Sequence, residues 1–381
     1  MKQATSSGES QQPKKKKLLG PRVRYALFLV VWVGVIAVAF NTFFAFKFHR
    51  EFVNRDQGWP GLRQHPTIGY ENTPDFEQQW DTYFNKSHEL GYRIGKGDSA
   101  SEVVPGGILA IGGSFTFGDA VEHEQAFPKV AADALGLAVY NYGVGSYSYA
   151  SVLLQLRDLE ERGVLARLAP SIILLGAGNW LVDRSLSPMF PTGGLPFGYA
   201  YIGRQGDGLA VLPPASFYAI ENFWKLADRY YPPGTDWKNE RLTFSRFATM
   251  FAHTPRVLAA TAARKFRYRP GHSGISSEEL YRFVIGEIDS VAQEYDAQVV
   301  VLWMPMFQME LDMDLSRSLK LEHVLVDGAK AIRQHRIGTA EFAGIHPTAP
   351  AHAAYGTKIA EEVQDHARRA GQRESTAEAP M

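Results

Sequence analysis

The stretch Ile108-Leu109-Ala110-Ile111-Gly112-Gly113-Ser114-Phe115-Thr116-Phe117-Gly118 decides how the rest of the chain is read. Its first four residues form a short apolar run of the kind used by a strand buried on both faces of a parallel sheet. Two glycines follow and allow a tight turn with positive φ. Such a turn lifts the Ser114 hydroxyl above the sheet. The N-terminus of a following helix then offers backbone N–H groups and a positive dipole end to an oxyanion. The same residues also suit an ordinary glycine turn capped by serine, or a phosphate cradle. They lack the lysine of a nucleotide P-loop.

Outward from this stretch, helix and strand signals alternate. A helix is predicted over Glu124–Leu135, ended by Gly136, and a strand over Leu137–Asn141. Val152, Leu153, Leu156 and Leu159 recur at helical spacing within Tyr149–Arg162, and Gly163 closes that segment. A third strand is expected at Ile172–Leu175. Ser276 and Glu279 make a capping-box pattern before a helix reaching about Tyr295. Gln298–Trp303 reads as a fourth strand, and a last helix is expected from about Ala351 to Ala370. This alternation predicts an α/β fold, a three-layer sandwich with a doubly wound parallel sheet. Ligands bind such sheets beyond the carboxyl ends of the strands. Residues 181–275 interrupt the pattern. Within them Tyr199–Leu212, centred on Gly206-Asp207-Gly208, suggests a β-hairpin, and Phe244–Arg267 reads as a basic helix with Phe247, Phe251 and Phe266 on it.

Three further motifs follow strand ends or precede the last helix. Asn141-Tyr142-Gly143-Val144-Gly145-Ser146 is a small-residue loop able to aim a backbone N–H into a site, or simply a turn. Gly176-Ala177-Gly178-Asn179-Trp180 offers the Asn179 side chain as an oxyanion donor, or a structural asparagine. Gly344-Ile345-His346-Pro347-Thr348 offers His346 as a general base toward Ser114, or a surface histidine. His352 reads as structural.

In this order the four motifs resemble the SGNH (GDSL-like) serine hydrolases, membrane-anchored bacterial type. That family takes Ser, Gly, Asn and His from four successive blocks. Gly112–Gly118 with Asp119 resembles the first block, and Asn141–Ser146 the second, with Ser146 at the usual glycine. Asn179 matches the third block and His346 the fifth. Asn85–Arg93, ending Gly91-Tyr92-Arg93, resembles a lead-in segment of the same subgroup. The resemblance covers roughly residues 85–370. It implies Ser114 as nucleophile and His346 as base. It also implies an oxyanion hole from the N–H groups of Ser114 and of Gly145 or Ser146, together with the Asn179 side chain.

Three positions depart from the family pattern. Gly113 stands where an Asp usually precedes the serine, and Trp180 where an Asp usually follows the asparagine. Ala343 stands where the acid of the triad usually lies, three residues before the histidine. Glu341 could substitute for that acid, or a backbone carbonyl could orient His346. The alternative is a weak or inactive site, kept as a glycan- or partner-binding module. The resemblance implies an O-acyl esterase or O-acetyltransferase acting on an ester, such as a cell-envelope polysaccharide, with an envelope protein as a candidate partner.

Composition narrows the field. Forty basic and forty acidic residues leave no net charge, so nucleic-acid binding has no electrostatic support. There is no cysteine, which excludes disulfides, thiolate catalysis and cysteine-ligated metals. No paired metal spacing exists among the histidines, so neither a metal nor another cofactor is expected.

Residues 1–24 form a polar and then basic tail, with Lys14–Lys17, Arg22 and Arg24. From Tyr25 to Phe46 the chain is apolar apart from Asn41 and Thr42. As a helix this run spans about 33 Å, enough to cross a bilayer. Ala37 and Ala39 would fit a signal-peptide cleavage site, but the apolar run continues past them. The basic excess on the N-terminal side predicts a cytoplasmic N-terminus and an extracytoplasmic remainder. The expected order is then a tail (1–24), an anchor (25–46), a lead-in (47–104), the hydrolase-like domain (105–370) and a polar tail (371–381).

Overall fold

The computed structural model describes residues 20–53, 61–65, 67–80, 82–186, 200–212, 274–304, 323–334, 342–343 and 346–377. Glu341 and the Phe244–Arg267 segment lie outside the described residues. The chain divides into two compact units, one holding the N-terminal helix and the other the sheet. That helix, α1, runs Pro21–Val53, longer at both ends than the predicted span. Its stretch Pro21–Phe43 is long and apolar enough to cross a membrane and is almost wholly unburied.

In the larger unit a hairpin of β1 (Leu62–His65) and β2 (Gly69–Asn72) precedes an eight-stranded sheet. The sheet strands are β3 (Glu77–Gln79), β4 (Phe84–Ser87), β5 (Arg93–Ile94), β6 (Ile108–Ile111), β7 (Val139–Asn141) and β8 (Ile172–Ala177), then, beyond the separate hairpin of β9 (Tyr201–Gln205) and β10 (Gly208–Leu212), β11 (Gln298–Trp303) and β12 (Val324–Asp327). Their order across the sheet is β12-β11-β8-β6-β7-β5-β4-β3. From β12 to β7 all pairings are parallel. From β7 to β3 they are antiparallel. The sheet is therefore mixed: the lead-in segment supplies a three-strand meander on the β7 edge. Its strands are two to four residues long, too short to carry a legible alternation.

Counted along the chain, the parallel strands lie in the order 2-1-3-4-5. This doubly wound arrangement has its switch point between the first and third strands, β6 and β8. Every residue of β6 and β8 is buried, as strands covered on both faces require. Among the helices are α2 (Ser114–Phe117), α3 (Phe127–Leu135), α4 (Tyr149–Glu161), α5 (Val164–Leu168), α6 (Asn179–Leu186), α7 (Ser277–Glu294), α8 (Gly328–Gln334) and α9 (Ala349–Ala377). Helix α9 packs on α3 and α8, and α4 packs on α6 and α7, giving one layer on each side of the sheet.

Most expected elements are present with shifted ends. The helix expected over Glu124–Leu135 is split: His123–Gln125 is a 3-10 turn, Ala126 is extended, and α3 starts at Phe127. Pro128 fits only a first helical turn, which fixes the start there. Gly136 ends α3 in the left-handed region at φ +70°. The Ser276 hydroxyl accepts from the N–H of Glu279 and caps α7. Helix α9 runs on to Ala377, so the expected polar tail from 371 is mostly helical. The expected hairpin within residues 199–212 is β9–β10.

Candidate active site

The site lies at the carboxyl ends of β6, β7 and β8. Gly112 leaves β6 at φ +152°, and a Cβ there would stand 3.0 Å from the Gly176 carbonyl, so only glycine fits. Ser114 then opens α2, a single turn rather than a longer helix. Gly118, at φ +82°, closes that turn: its N–H and that of Asp119 both donate to the Ser114 carbonyl, at 3.0 and 3.1 Å. This left-handed closure folds Asp119 back beside the start of the turn.

Arg93, at 0% exposure, holds the turn from below. Its guanidinium donates to the carbonyls of Phe117 (2.7 Å), Gly118 (2.8 Å) and Val121 (2.7 Å). It also sits over the Tyr83 and Phe117 rings, 4.9 and 4.6 Å from their centroids. Burial pulls its pKa down to about 10, so it remains a cation at neutral pH.

The second loop is tied to the same turn. The Asn141 side chain donates to the Thr116 carbonyl at 2.9 Å and accepts from Gly143 N–H at 3.0 Å. A Cβ on Gly143 would stand 2.2 Å from the Phe117 backbone nitrogen, so the two chains touch backbone to backbone. The lead-in hairpin supports this loop from outside. Asn72 donates to the Gly143 carbonyl at 3.1 Å, and the Tyr70 hydroxyl to the Gly145 carbonyl at 2.9 Å. Ser146 sits at φ +64°, in the left-handed region that favours glycine. The turn thus keeps the geometry of a glycine at that position, at a cost of roughly 1–2 kcal/mol for the side chain.

Asn179 begins α6 at the end of β8, half-buried. The Tyr149 hydroxyl fixes the preceding Gly178, accepting from its N–H at 3.1 Å. Trp180 packs on Phe115 with ring centroids 4.8 Å apart, and Phe115 meets the His346 ring edge-on at 5.6 Å. Trp180 is thus a buried apolar side chain beside Asn179, packed on Phe115.

His346 lies on a two-residue strand, β14 (His346–Pro347), paired antiparallel with β13 (Phe342–Ala343) so that Ala343 is its cross-strand partner. Helix α2 packs against β14, which brings the histidine to the turn that opens at Ser114. Its Nε2 is 3.5 Å from Asp119 Oδ2. Burial lowers the ring's pKa below the ordinary histidine value, Asp119 opposes that shift, and Arg184 adds to it. Among the described residues no hydrogen bond joins Ser114 Oγ to the ring. His352 has a packing role: its Nδ1 accepts from the Phe127 N–H at 3.1 Å and its ring stacks on Phe127.

The structure thus brings Ser114, Gly145, Ser146, Asn179 and His346 to one end of the sheet. Asp119 is the addition that sequence reasoning did not assign a role. Its signal was weak: an acid one residue past a glycine that ends a one-turn helix. Next to it opens a small cavity of about 50 Å³, lined by Trp80, Tyr83, Phe117, Asp119 and Gly145 among others. His65, Glu71 and Asp158 also cluster, but Arg63 and Arg162 pair with those carboxylates, and the group ties the β1–β2 hairpin to α4.

No known family model matches the chain, and no curated protein matches it. Several solved structures resemble it. A lipolytic protein of the G-D-S-L family from Desulfitobacterium hafniense is 13% identical over 67% of this chain and 98% of its own, with a TM-score of 0.33. The acetylxylan esterase Axe2 from Geobacillus stearothermophilus, as a catalytic mutant, is 11% identical over 69% of this chain and 96% of its own, with a TM-score of 0.31. A G-D-S-L lipolytic protein from Veillonella parvula is 12% identical over 67% and 96%, with a TM-score of 0.30. The chain is similar to these proteins at low sequence identity.

Proposed function

We propose that the chain is a membrane-anchored, extracytoplasmic serine esterase or O-acyltransferase of the SGNH type. One observation carries this reading: Ser114 stands at the switch point of the sheet, on a turn that packs against the strand bearing His346. Ser114 Oγ attacks the ester carbonyl carbon as His346 takes its proton. The resulting oxyanion is held by backbone N–H groups of Ser114 and of Gly145 or Ser146, and by the Asn179 side chain. Collapse breaks the ester C–O bond. The departing alkoxide takes the proton from His346 and leaves an acyl-serine. Water, or a sugar hydroxyl of an envelope polysaccharide, then attacks the acyl carbon with the same proton relay in reverse. Hydrolysis and transfer differ only in that acceptor.

The first test is labelling of the full chain, in detergent, by a fluorophosphonate probe, with the adduct mapped by mass spectrometry. Modification at Ser114 is expected, and Ser114→Ala and His346→Ala should each abolish it. Ester turnover should fall by at least about 10³-fold in Ser114→Ala. An unlabelled but folded protein would replace this reading with the binding module.

The basic N-terminal flank of α1 supports an inside N-terminus. Protease added to sealed spheroplasts is expected to digest the sheet unit. Full protection would reverse the assigned side.

A further inference from the structure

In a serine–histidine site an acid holds the imidazole in one tautomer and stabilises the imidazolium. The position that usually supplies it, three residues before the histidine, is Ala343. A carboxylate nevertheless reaches the ring, from the other side of the site. Asp119 Oδ2 is 3.5 Å from His346 Nε2. Its other oxygen, Oδ1, accepts from the Tyr83 hydroxyl at 2.7 Å. Its backbone N–H is fixed to the Ser114 carbonyl at 3.1 Å. Tyr83 in turn packs over the buried Arg93 that clamps the Phe117–Gly118 turn. The carboxylate is therefore built into the nucleophile's own turn and pinned by a lead-in residue.

We propose that Asp119 is the positioning acid of this site, orienting and polarising His346 in place of an acid at residue 343. This rests on the serine-esterase reading above. With Nε2 protonated and turned to Asp119, Nδ1 is left as the base for the Ser114 proton. The 3.5 Å separation exceeds a good hydrogen bond, as such contacts often do before substrate binds. The charged groups acting on the ring are Asp119 and, in the opposite sense, Arg184. Tyr83 is a neutral donor, since burial and the nearby carboxylate push its phenol well above the ordinary range. It can therefore hold Asp119 without competing for charge.

Two readouts test the proposal separately from the esterase reading. The first needs no activity. In the Ser114→Ala full chain with Cε1-labelled histidine, the His346 resonance is assigned by its loss in His346→Gln and titrated by NMR. Asp119→Asn removes the negative charge, so the midpoint of His346 should move to lower pH by half a unit or more. An unchanged midpoint overturns the proposal whatever the activity. The second is the rate of fluorophosphonate labelling. Asp119→Asn should slow it by between about tenfold and 10⁴-fold, the upper figure being that of a fully buried triad acid. Ala343→Asp added to Asp119→Asn should restore part of the rate, because residue 343 pairs in register with His346. A wild-type rate in a folded Asp119→Asn protein would also overturn the proposal. Failure of the wild-type chain to label, with the NMR shift present, would sink the esterase reading and leave the Asp119–His346 pairing standing.

Discussion

Arg93→Met is expected to cost about 3–5 kcal/mol of stability, enough to leave much of the protein unfolded at 37 °C. The cost comes from what remains behind. Three carbonyls, of Phe117, Gly118 and Val121, lose a charged donor at 2.7–2.8 Å in a place that water does not reach. The Tyr83 and Phe117 rings lose the cation between them. Arg93→Lys should recover little, since one ammonium cannot serve the spread carbonyls that a planar guanidinium forks between. Urea unfolding of the full chain in detergent measures both variants. A loss below about 1 kcal/mol would show that the turn closes without the clamp. The partly folded remainder should lose Ser114 labelling first, because the clamp holds the turn that carries Ser114.

The second large effect is acid instability between about pH 6.5 and 3, driven by two buried histidines. Burial pushes His123 and His352 each down to about 3. Both folded values lie below the unfolded one, so the fold favours the neutral rings. Their contribution is fully present above about pH 6.5. As pH falls, the unfolded chain takes up protons that the folded chain refuses, and stability drains away until about pH 3. Two such groups give a slope of up to about 2.7 kcal/mol per pH unit. Burial lowers His88 and His346 as well, with the same sign. Asp158, whose lowered pKa comes from the His65 and Arg162 contacts overcoming burial, adds only below the carboxylate range. Measurements of unfolding free energy at pH 5–6.5 therefore isolate the histidines. His352→Asn keeps an acceptor for the Phe127 N–H and should reduce the slope by up to about 1.4 kcal/mol per pH unit. A slope unaffected by that change would place the acid sensitivity elsewhere.

Three of the parallel strands were legible because they are almost wholly buried and read as mainly apolar runs: Ile108–Ile111, Ile172–Leu175 and Gln298–Trp303. The site was legible where a backbone constraint forced an unusual residue, as at Gly112 and at the Gly178–Asn179 junction. Four features were not. The β3–β5 meander has strands of two to four residues, and Arg93 and Ile94 form one by pairing that no local pattern announces. The break at Ala126 depends on Pro128, which a helical periodicity passes over. Strand β12 and helix α8 follow a segment without clear punctuation. Asp119 acquires its partner only when a strand more than two hundred residues later is laid against its turn. Arg93 stood out in the Gly91-Tyr92-Arg93 motif, yet its clamp is a tertiary contact that spacing does not disclose.

The antiparallel meander on the β7 edge also sets a timetable for the newborn chain. Strands β3, β4 and β5 leave the ribosome before β6, but β5 docks only on β7, at Asn141. Until Val139–Asn141 have been made, the meander is a ribbon with two open edges and no parallel sheet to join. Strand β6 waits in its turn for β8, since it is sandwiched between β7 and β8. The connectivity thus puts the earliest strands at the sheet's edge, where they can join it only through a strand made later. Such non-local closure is slow and leaves apolar strands open to stray pairing.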